Sequence, residues 1–268
     1  MAGASRHDAW QAGDSYEIYM GRWSRQIAPR FIEWLEPDDD LDWLEVGCGT
    51  GALSARILSD TNPKSLISVD PSEGFLEKAR STIADPRVEF QIGDGEALSI
   101  PSGTRDIVVS GLVLNFIPDR EKALQEMQRA ARSKATIAFY VWDYPGGGVE
   151  FMRAFWTAAT ALDPSARDLT EDRRFPFCTL EGLADLAHRA GLSHVETTKI
   201  EAPTRFQNFD DFWHPFTLGA GPAPGYCANL KTAEREKLRE KLQESLPTAE
   251  DGSIPLKARA WAVRGRKQ

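Results

Sequence analysis

The chain of 268 residues is 41% hydrophobic and 27% charged, which is enough apolar content for a packed core and excludes a wholly disordered chain. Its 32 Lys and Arg against 40 Asp and Glu leave a net charge of −8, and without a basic stripe a dedicated nucleic-acid binder is disfavoured. At about 150 residues per domain, the length fits one large domain or one domain with a cap.

Residues 41–46 (LDWLEV) form the first strand candidate, ending at a glycine cluster, and 52–58 read as a helix. Residues 65–70 (SLISVD) are a second strand, followed by a helix over 73–83. A third strand covers 88–92 and a fourth 106–110 (DIVVS). Residues 120–132 are helical, with Ala123, Leu124, Met127, Ala130 and Ala131 on one stripe. Residues 136–141 (TIAFYV) are apolar throughout, as a strand covered on both faces should be. This alternation of strand and helix predicts a parallel, doubly wound α/β sheet.

After Asp143 the pattern changes. Residues 144–148 (YPGGG) are a loop, 151–162 an aromatic-rich helix, and 180–190 a helix stopped by Gly191. Residues 194–200 alternate like a strand, whereas 201–255 carry no strand signal. That stretch holds FDDFWHPF at 209–216, a Gly/Pro loop at 219–225 and a charged helix at 232–245 with Leu238 and Leu242 facing inward. Residues 258–263 (ARAWAV) close the chain as a strand before a basic tail. The expected core is about 40–143, 179–200 and 257–265, and the expected helical cap is about 10–36, 144–178 and 201–256.

No apolar run reaches the ~20 residues of a membrane helix, and residues 1–11, with His7 and Asp8, lack the apolar centre of a secretory signal. Cys48, Cys178 and Cys227 have no ligand-type spacing and read as reduced thiols. The expectation is a cytoplasmic protein with no metal and no membrane partner.

The sharpest feature is Glu45-Val46-Gly47-Cys48-Gly49-Thr50-Gly51 between a strand and a helix. Glycines there let the backbone turn tightly and approach a ligand. The third glycine falls one residue early for a dinucleotide fingerprint, and no Gly-Lys-Ser/Thr follows for a phosphate loop. Asp70 ends the second strand about 20 residues on, where a carboxylate meets a ribose in such units. It also suits a helix start, although Ser72 is the more natural cap. Asp94, in Gly93-Asp94-Gly95-Glu96, is placed to accept from a purine amino group or is a plain loop acid. Ser110-Gly111 and the residues after them would line the same cleft.

These motifs together resemble the class I S-adenosylmethionine-dependent methyltransferases, in the small-molecule branch related to ubiquinone and menaquinone biosynthesis. The resemblance rests on LEVGCGTG (44–51), SVDPSEGFLEKAR (68–80), FQIGDGEALSIPSGTRDIVVSGLVLNFIPD (90–119) and ARAWAVRG (258–265). It implies a Rossmann-like seven-stranded sheet of order 3-2-1-4-5-7-6 with strand seven antiparallel. It implies S-adenosyl-L-methionine as cofactor, with Glu45 and Gly47 near its methionine moiety, Gly49 and Gly51 forming the turn, and Asp70 on the ribose. Asp94 would take the adenine amino group with Gly95 and Glu96 beside the ring, and Ser110 or Gly111 would accept from the ammonium. Residues 16–25 (YEIYMGRWSR) also look like this branch: Tyr16, Tyr19 or Trp23 would cover the transfer region and Arg22 pair with the cofactor carboxylate, unless the helix merely packs on the sheet edge.

Where the branch often carries histidine after strand four, this chain has Leu114-Asn115-Phe116, which removes a ready base. Asp143, Tyr144 and His214 remain as catalytic candidates. The aromatic residues of the cap, among them Trp142, Tyr144, Phe151, Trp156, Phe206, Phe212 and Trp213, form either a mini-core or the wall of a pocket. The expected function is methyl transfer to a small, partly apolar or aromatic acceptor by in-line displacement. A nicotinamide-dependent dehydrogenase is disfavoured by the glycine spacing. A non-catalytic cofactor-binding or regulatory protein on the same fold is the alternative.

Overall fold

A computed structural model describes residues 13–219 and 221–268. The reading of residues 1–11, with His7, lies outside the described residues.

The strands β1 (Asp42–Val46), β2 (Ser65–Asp70), β3 (Val88–Ile92), β4 (Arg105–Gly111), β5 (Ala131–Trp142), β6 (Ser193–Phe206) and β7 (Ile254–Arg266) form one sheet in the order 3-2-1-4-5-7-6. β1, β2, β3, β4 and β5 pair in parallel, and β7 runs antiparallel to β5 with Trp142 opposite Ala260. This is the doubly wound, Rossmann-like sheet that the motif order implies. The longer helices are α1 (Arg22–Leu35), α2 (Ala52–Asp60), α3 (Glu73–Thr82), α4 (Arg120–Ala130), α5 (Glu150–Leu162), α6 (Leu180–Arg189), α7 (Pro222–Asn229) and α8 (Thr232–Ser245).

The chain divides into two compact units. The sheet unit comprises Ser24–Trp142, Phe177–Ile200 and Ala260–Gln268. The core of this unit follows from composition. β5 is buried continuously from Ala135 to Trp142, and its unbroken apolar run meets that burial on both faces. The inward stripe of α4 (Ala123, Leu124, Met127, Ala130) is likewise buried. The segment 24–36, expected in the cap, packs here instead: the Phe31 ring lies 4.6 Å from that of Tyr140.

The second unit comprises, among the described residues, 13–23, Asp143–Pro176 and Glu201–Arg259. Its interior is aromatic. Phe155 stacks on Phe216 at 4.4 Å, Tyr19 meets Phe216 edge-on at 5.4 Å, and Phe206 contacts both Trp23 and Phe212 at about 5 Å. Such pairs add to area burial by about 0.5–1.5 kcal/mol each.

Four local readings are corrected. β6 continues through 201–206, where no strand was expected. Ala202, Thr204 and Phe206 alternate inward there, and the outward Pro203 is tolerated because β6 is an edge strand. Residues 222–225, expected as loop, open α7: Pro222 occupies its first turn, where the missing N–H costs nothing, after Gly221 at φ 96°. The basic tail is part of β7, where Arg264 donates to the Trp34 carbonyl and pairs with Glu196. The helix expected to 132 ends at Ala130, and β5 begins at once.

Among the described residues, no helix is long and apolar enough to cross a membrane.

Candidate functional site

In the sheet unit, the turn from β1 into α2 holds Gly47, Gly49 and Gly51 at φ 78°, 54° and 87°. All three lie in the left-handed region that glycine alone adopts without strain. Their surroundings differ. A Cβ on Gly47 would fall 2.5 Å from a Val113 methyl, and one on Gly51 2.6 Å from Ile83 Cδ1. A Cβ on Gly49 would meet nothing within 4 Å. Gly47 and Gly51 are thus demanded by packing, whereas Gly49 presents bare backbone to open space.

Asp70 ties this loop to the end of β2. One of its carboxylate oxygens accepts the Gly49 N–H and the other the Ser72 N–H, both at 2.9 Å. Each oxygen keeps a further lone pair for a ligand. Burial raises the Asp70 carboxyl above its usual range, and these two N–H groups oppose the rise. The helix-start role falls to Ser72, whose hydroxyl caps α3 by accepting from Phe75 N.

Glu45 lies beneath the loop and is fully buried. Its Oε2 accepts from Ser54 at 2.5 Å and from Ser68 at 3.2 Å. Its carboxyl is therefore held by α2 and β2 as part of the loop's support. Burial pushes it up to about 7, against the two hydroxyls and with the Asp70 charge adding to the rise. Because the folded value exceeds the ordinary 4.5, the folded state holds the extra proton between the two. Stability from Glu45 is complete below pH 4.5 and is lost as pH rises through about 7. Its upper bound is on the order of 3 kcal/mol, at about 1.4 kcal/mol per unit. Denaturant midpoints should therefore fall between pH 5 and pH 8, with a shallower fall in Glu45→Gln. Equal slopes in the two proteins would contradict this account of Glu45.

Beyond β3, Asp94 is exposed and accepts the Glu96 N–H, while Glu96 accepts the Asp119 N–H at 3.0 Å. Gly95 lies where a Cβ would crowd Ile117 and Val46 at 3.0 and 3.2 Å. Ile92, passed over in the sequence, is 62% exposed and is the register partner of Asp70. In parallel register the two side chains leave the sheet on one side, which places an apolar surface beside the carboxylate. Its signal was available: an isoleucine closing an edge strand at a glycine.

After β4, Gly111 is required by the Tyr140 hydroxyl, 2.6 Å from where its Cβ would stand. Leu112 follows at φ 62°, a strained conformation of the kind found at ligand sites. The Ser110 hydroxyl and both polar atoms of the Asn115 carboxamide are buried with no hydrogen-bond partner. Asn115 entered the sequence reading only as the absence of a histidine. A lone amide in the apolar run LVLNF is the signal it offered.

The second unit holds the remaining candidates. Tyr16 is half-buried at the end of the first helical turn. Arg22, expected at the cofactor carboxylate, is engaged by Asp211 through two bonds of 2.7 and 3.0 Å and lies over the Trp23 ring. The Arg22 guanidinium in turn holds the Asp211 carboxyl below its usual range. Asp143 is buried and committed: one oxygen receives Arg259 Nε at 2.7 Å and the other the Gly146 N–H at 2.8 Å. The glycines of YPGGG serve this wrap, since a Cβ at Gly146 or Gly148 would strike the Asp143 carboxylate. His214 is exposed at the head of a short helical turn.

A cavity of about 550 Å³ lies within this unit, lined by Asp143, Tyr144, Met152, Trp156, Arg167 and Glu171 among others. Of the three catalytic candidates, Asp143 and Tyr144 line it and His214 does not. Phe206, Phe212 and Phe216 also stay outside it and pack on one another. Glu171, which sequence reasoning missed, is buried on the cavity wall, and Trp156 Nε1 donates to its Oε2. Within DLTEDRR it reads as one more solvated charge.

The sheet unit's residues fit a cationic nucleoside cofactor. Open space over Gly49, the further lone pairs on Asp70, the exposed carboxylate of Asp94 and the buried Asn115 amide and Ser110 hydroxyl without hydrogen-bond partners are the features that fit it. Carboxylates suit the sulfonium and ammonium of S-adenosylmethionine better than a pyrophosphate.

Residues 44–139 match a family model described as a methyltransferase domain. The chain is 29% identical over 196 residues to malonyl-(acyl-carrier protein) O-methyltransferase of Geobacter sulfurreducens, covering 72% of this chain and 68% of the relative. It is 28% identical over 198 residues to the thiol S-methyltransferase TMT1A of Homo sapiens, covering 72% and 76%. Demethylmenaquinone methyltransferase of Desulfitobacterium hafniense is 24% identical over 223 residues, covering 76% and 81%. Among solved structures, phosphoethanolamine N-methyltransferase 2 of Haemonchus contortus, in complex with S-adenosylhomocysteine, aligns with TM-score 0.55 at 15% identity, covering 96% of this chain and 57% of that one. The cyclase SpnF aligns with TM-score 0.54 at 15% identity, covering 90% and 80%. At such identities the structural likeness speaks to the fold alone. The sequence relatives are named for different acceptors and share methyl transfer, and over residues 44–139 this chain carries a methyltransferase domain similar to those of S-adenosylmethionine-dependent methyltransferases.

Proposed function

We propose that the protein transfers the methyl group of S-adenosylmethionine to a small, partly apolar or aromatic acceptor. The observation that carries the cofactor side of this reading is the Asp70 carboxylate held between the Gly49 and Ser72 N–H groups beside the open face of Gly49. In this reading Asp70 would hold the ribose hydroxyls, Ile92 would lie against the adenine and Asp94 would take its amino group, with Gly95 and Glu96 beside the ring. A backbone carbonyl of Ser110 or Gly111 would take the ammonium. Glu45, through Ser54 and Ser68, keeps the loop in place, and Gly47 and Gly51 keep it tight. Arg22 fixes Asp211 and the surrounding aromatic packing.

The bound cofactor supplies a methyl group already activated by its sulfonium. The protein's task is therefore alignment of the acceptor and exclusion of water. The Asp143 carboxylate, tied to Arg259, is a structural anchor, and exposed His214 is poorly placed to hold a proton away from water. Tyr144, which lines the cavity, is the remaining candidate.

A small acceptor is supported by the cavity of about 550 Å³, in the range typical of small-molecule sites, and by a net charge of −8. The relatives' names cover malonyl-(acyl-carrier protein), a thiol and demethylmenaquinone as acceptors. The buried cysteines, which form no disulfide among the described residues, support a reducing, cytoplasmic setting.

Transfer of labelled methyl from S-adenosylmethionine to a panel of phenols, thiols and quinols, alongside bulk protein and RNA, tests the reading. Label should enter the small-molecule fraction. Its entry into protein or RNA in preference to every small molecule would overturn the substrate class.

A further inference from the structure

We propose that the cavity of the second unit is the acceptor's chamber and that Glu171 Oε1 is a polar anchor in it, accepting a hydrogen bond from a hydroxyl or amine on a partly apolar molecule. This rests on the methyl-transfer reading for what becomes of that molecule, but the chamber's preference stands on this unit's own geometry.

Three observations carry it. First, Glu171 is on the cavity wall and 95% removed from solvent, its relative exposure being 5%. Second, its two oxygens are unequal. Oε2 accepts from Trp156 Nε1 at 2.5 Å, whereas Oε1 is buried with no hydrogen-bond partner. A carboxyl oxygen left so in the interior is costly and calls for a donor. Third, the wall joins Met152, Trp156 and Tyr144 to polar and charged side chains, among them Thr157, Arg153 and Arg167, and Glu171 adds to this mixed lining a carboxyl oxygen without a hydrogen-bond partner, a combination of apolar surface and polar groups that suits a small-molecule site. The charge state agrees with the geometry. Burial pushes the Glu171 carboxyl up to about 7, against its own backbone N–H, the Trp156 bond and the charge of Arg174, with Asp172 adding to the rise. The same buried cluster raises the Tyr19 phenol well above its usual range, through burial first and then Glu171 and Tyr144. Tyr19 therefore stays protonated near neutrality. A donor arriving at Oε1 favours the ionised carboxylate.

Ligand-observed and protein-observed NMR with p-cresol and toluene as probes tests the proposal on the full chain. The two share an apolar ring and differ by one hydroxyl. In the wild type, p-cresol should bind at least about tenfold more tightly than toluene, the size of a hydrogen bond to a charged group, and should shift the Trp156 indole N–H resonance. In Glu171→Leu the preference should vanish. Glu171→Gln keeps the volume and an oxygen for Trp156, and should reduce the preference at least threefold with the fold intact. A wild-type preference retained in the folded Gln variant, no preference in the wild type, or p-cresol binding that leaves the Trp156 resonance unmoved would each overturn it. Titration of the same samples with S-adenosylhomocysteine separates the two ideas. Cofactor binding without the p-cresol preference sinks the chamber and spares the methyl-transfer reading. The preference without cofactor binding sinks the methyl-transfer reading and leaves the chamber.

Discussion

Asp70→Ala should weaken S-adenosylhomocysteine binding by about 10- to 100-fold while the circular dichroism spectrum remains that of the wild type. The size follows from hydrogen bonds to a charged carboxylate, about 1.5–3 kcal/mol each, where 1.4 kcal/mol is tenfold. Asp70 has two functions in the structure, since its oxygens also receive the Gly49 and Ser72 N–H groups. Loss of affinity alone does not separate ribose contact from loop support. A cofactor analogue lacking the 2′-hydroxyl does. It should bind the wild type at least tenfold more weakly than S-adenosylhomocysteine, and Asp70→Ala should bind the two alike, because a lost partner cannot be lost twice. A discrimination that survives in Asp70→Ala would leave Asp70 as loop support only.

The glycines of the loop should divide into two kinds. Gly47→Ala forces a left-handed φ of 78° on alanine and drives its Cβ to within 2.5 Å of the Val113 side chain. Strain of about 1–2 kcal/mol and overpacking of about 1–3 kcal/mol together predict a loss on the order of 2–5 kcal/mol in stability, read as a lowered denaturant midpoint. Gly49→Ala meets no neighbour within 4 Å, so it should carry only the φ penalty of about 1 kcal/mol. Its methyl group, however, occupies the space assigned to the cofactor, and affinity for S-adenosylhomocysteine should fall at least tenfold. The pair therefore crosses over: Gly47→Ala mainly loses stability, and Gly49→Ala mainly loses binding. Undiminished cofactor affinity in Gly49→Ala would show that the open face of the loop is not where the cofactor lies.

The sequence was most informative where one local rule governs. Short apolar runs closed by glycine or aspartate marked β1, β2 and β4, because a buried parallel strand needs little beyond continuous hydrophobicity. Ser72 announced the start of α3 because a cap is set by its immediate neighbours. The sequence misled where tertiary position overrides the local rule. Pro203 breaks the pattern of 201–206, yet it costs β6 little at the sheet's edge. Pro222 and Pro224 look like loop residues, and Pro222 starts a helix. In the site, GxGxG and Asp70 were legible from spacing. The reasons for Gly47, Gly51 and Gly111 were not, since each answers a side chain distant in sequence: Val113, Ile83 and Tyr140. Arg22 and Asp143 looked like available charges because their partners, Asp211 and Arg259, lie 189 and 116 residues away. Glu171 was hidden for the opposite reason. A charged run such as TEDRR is normally solvated, and only the packing of α5 and its Trp156 shows that one member is buried.

The central claim, that the loop after β1 and the carboxylate of Asp70 hold S-adenosylmethionine, is tested most directly by a crystal structure of the protein grown with S-adenosylhomocysteine. The account predicts both ribose hydroxyls within hydrogen-bond distance of Asp70, the homocysteine portion across the open face of Gly49, and the adenine between Ile92 and Asp94. Ribose density away from Asp70, with the space over Gly49 filled only by water, would contradict it.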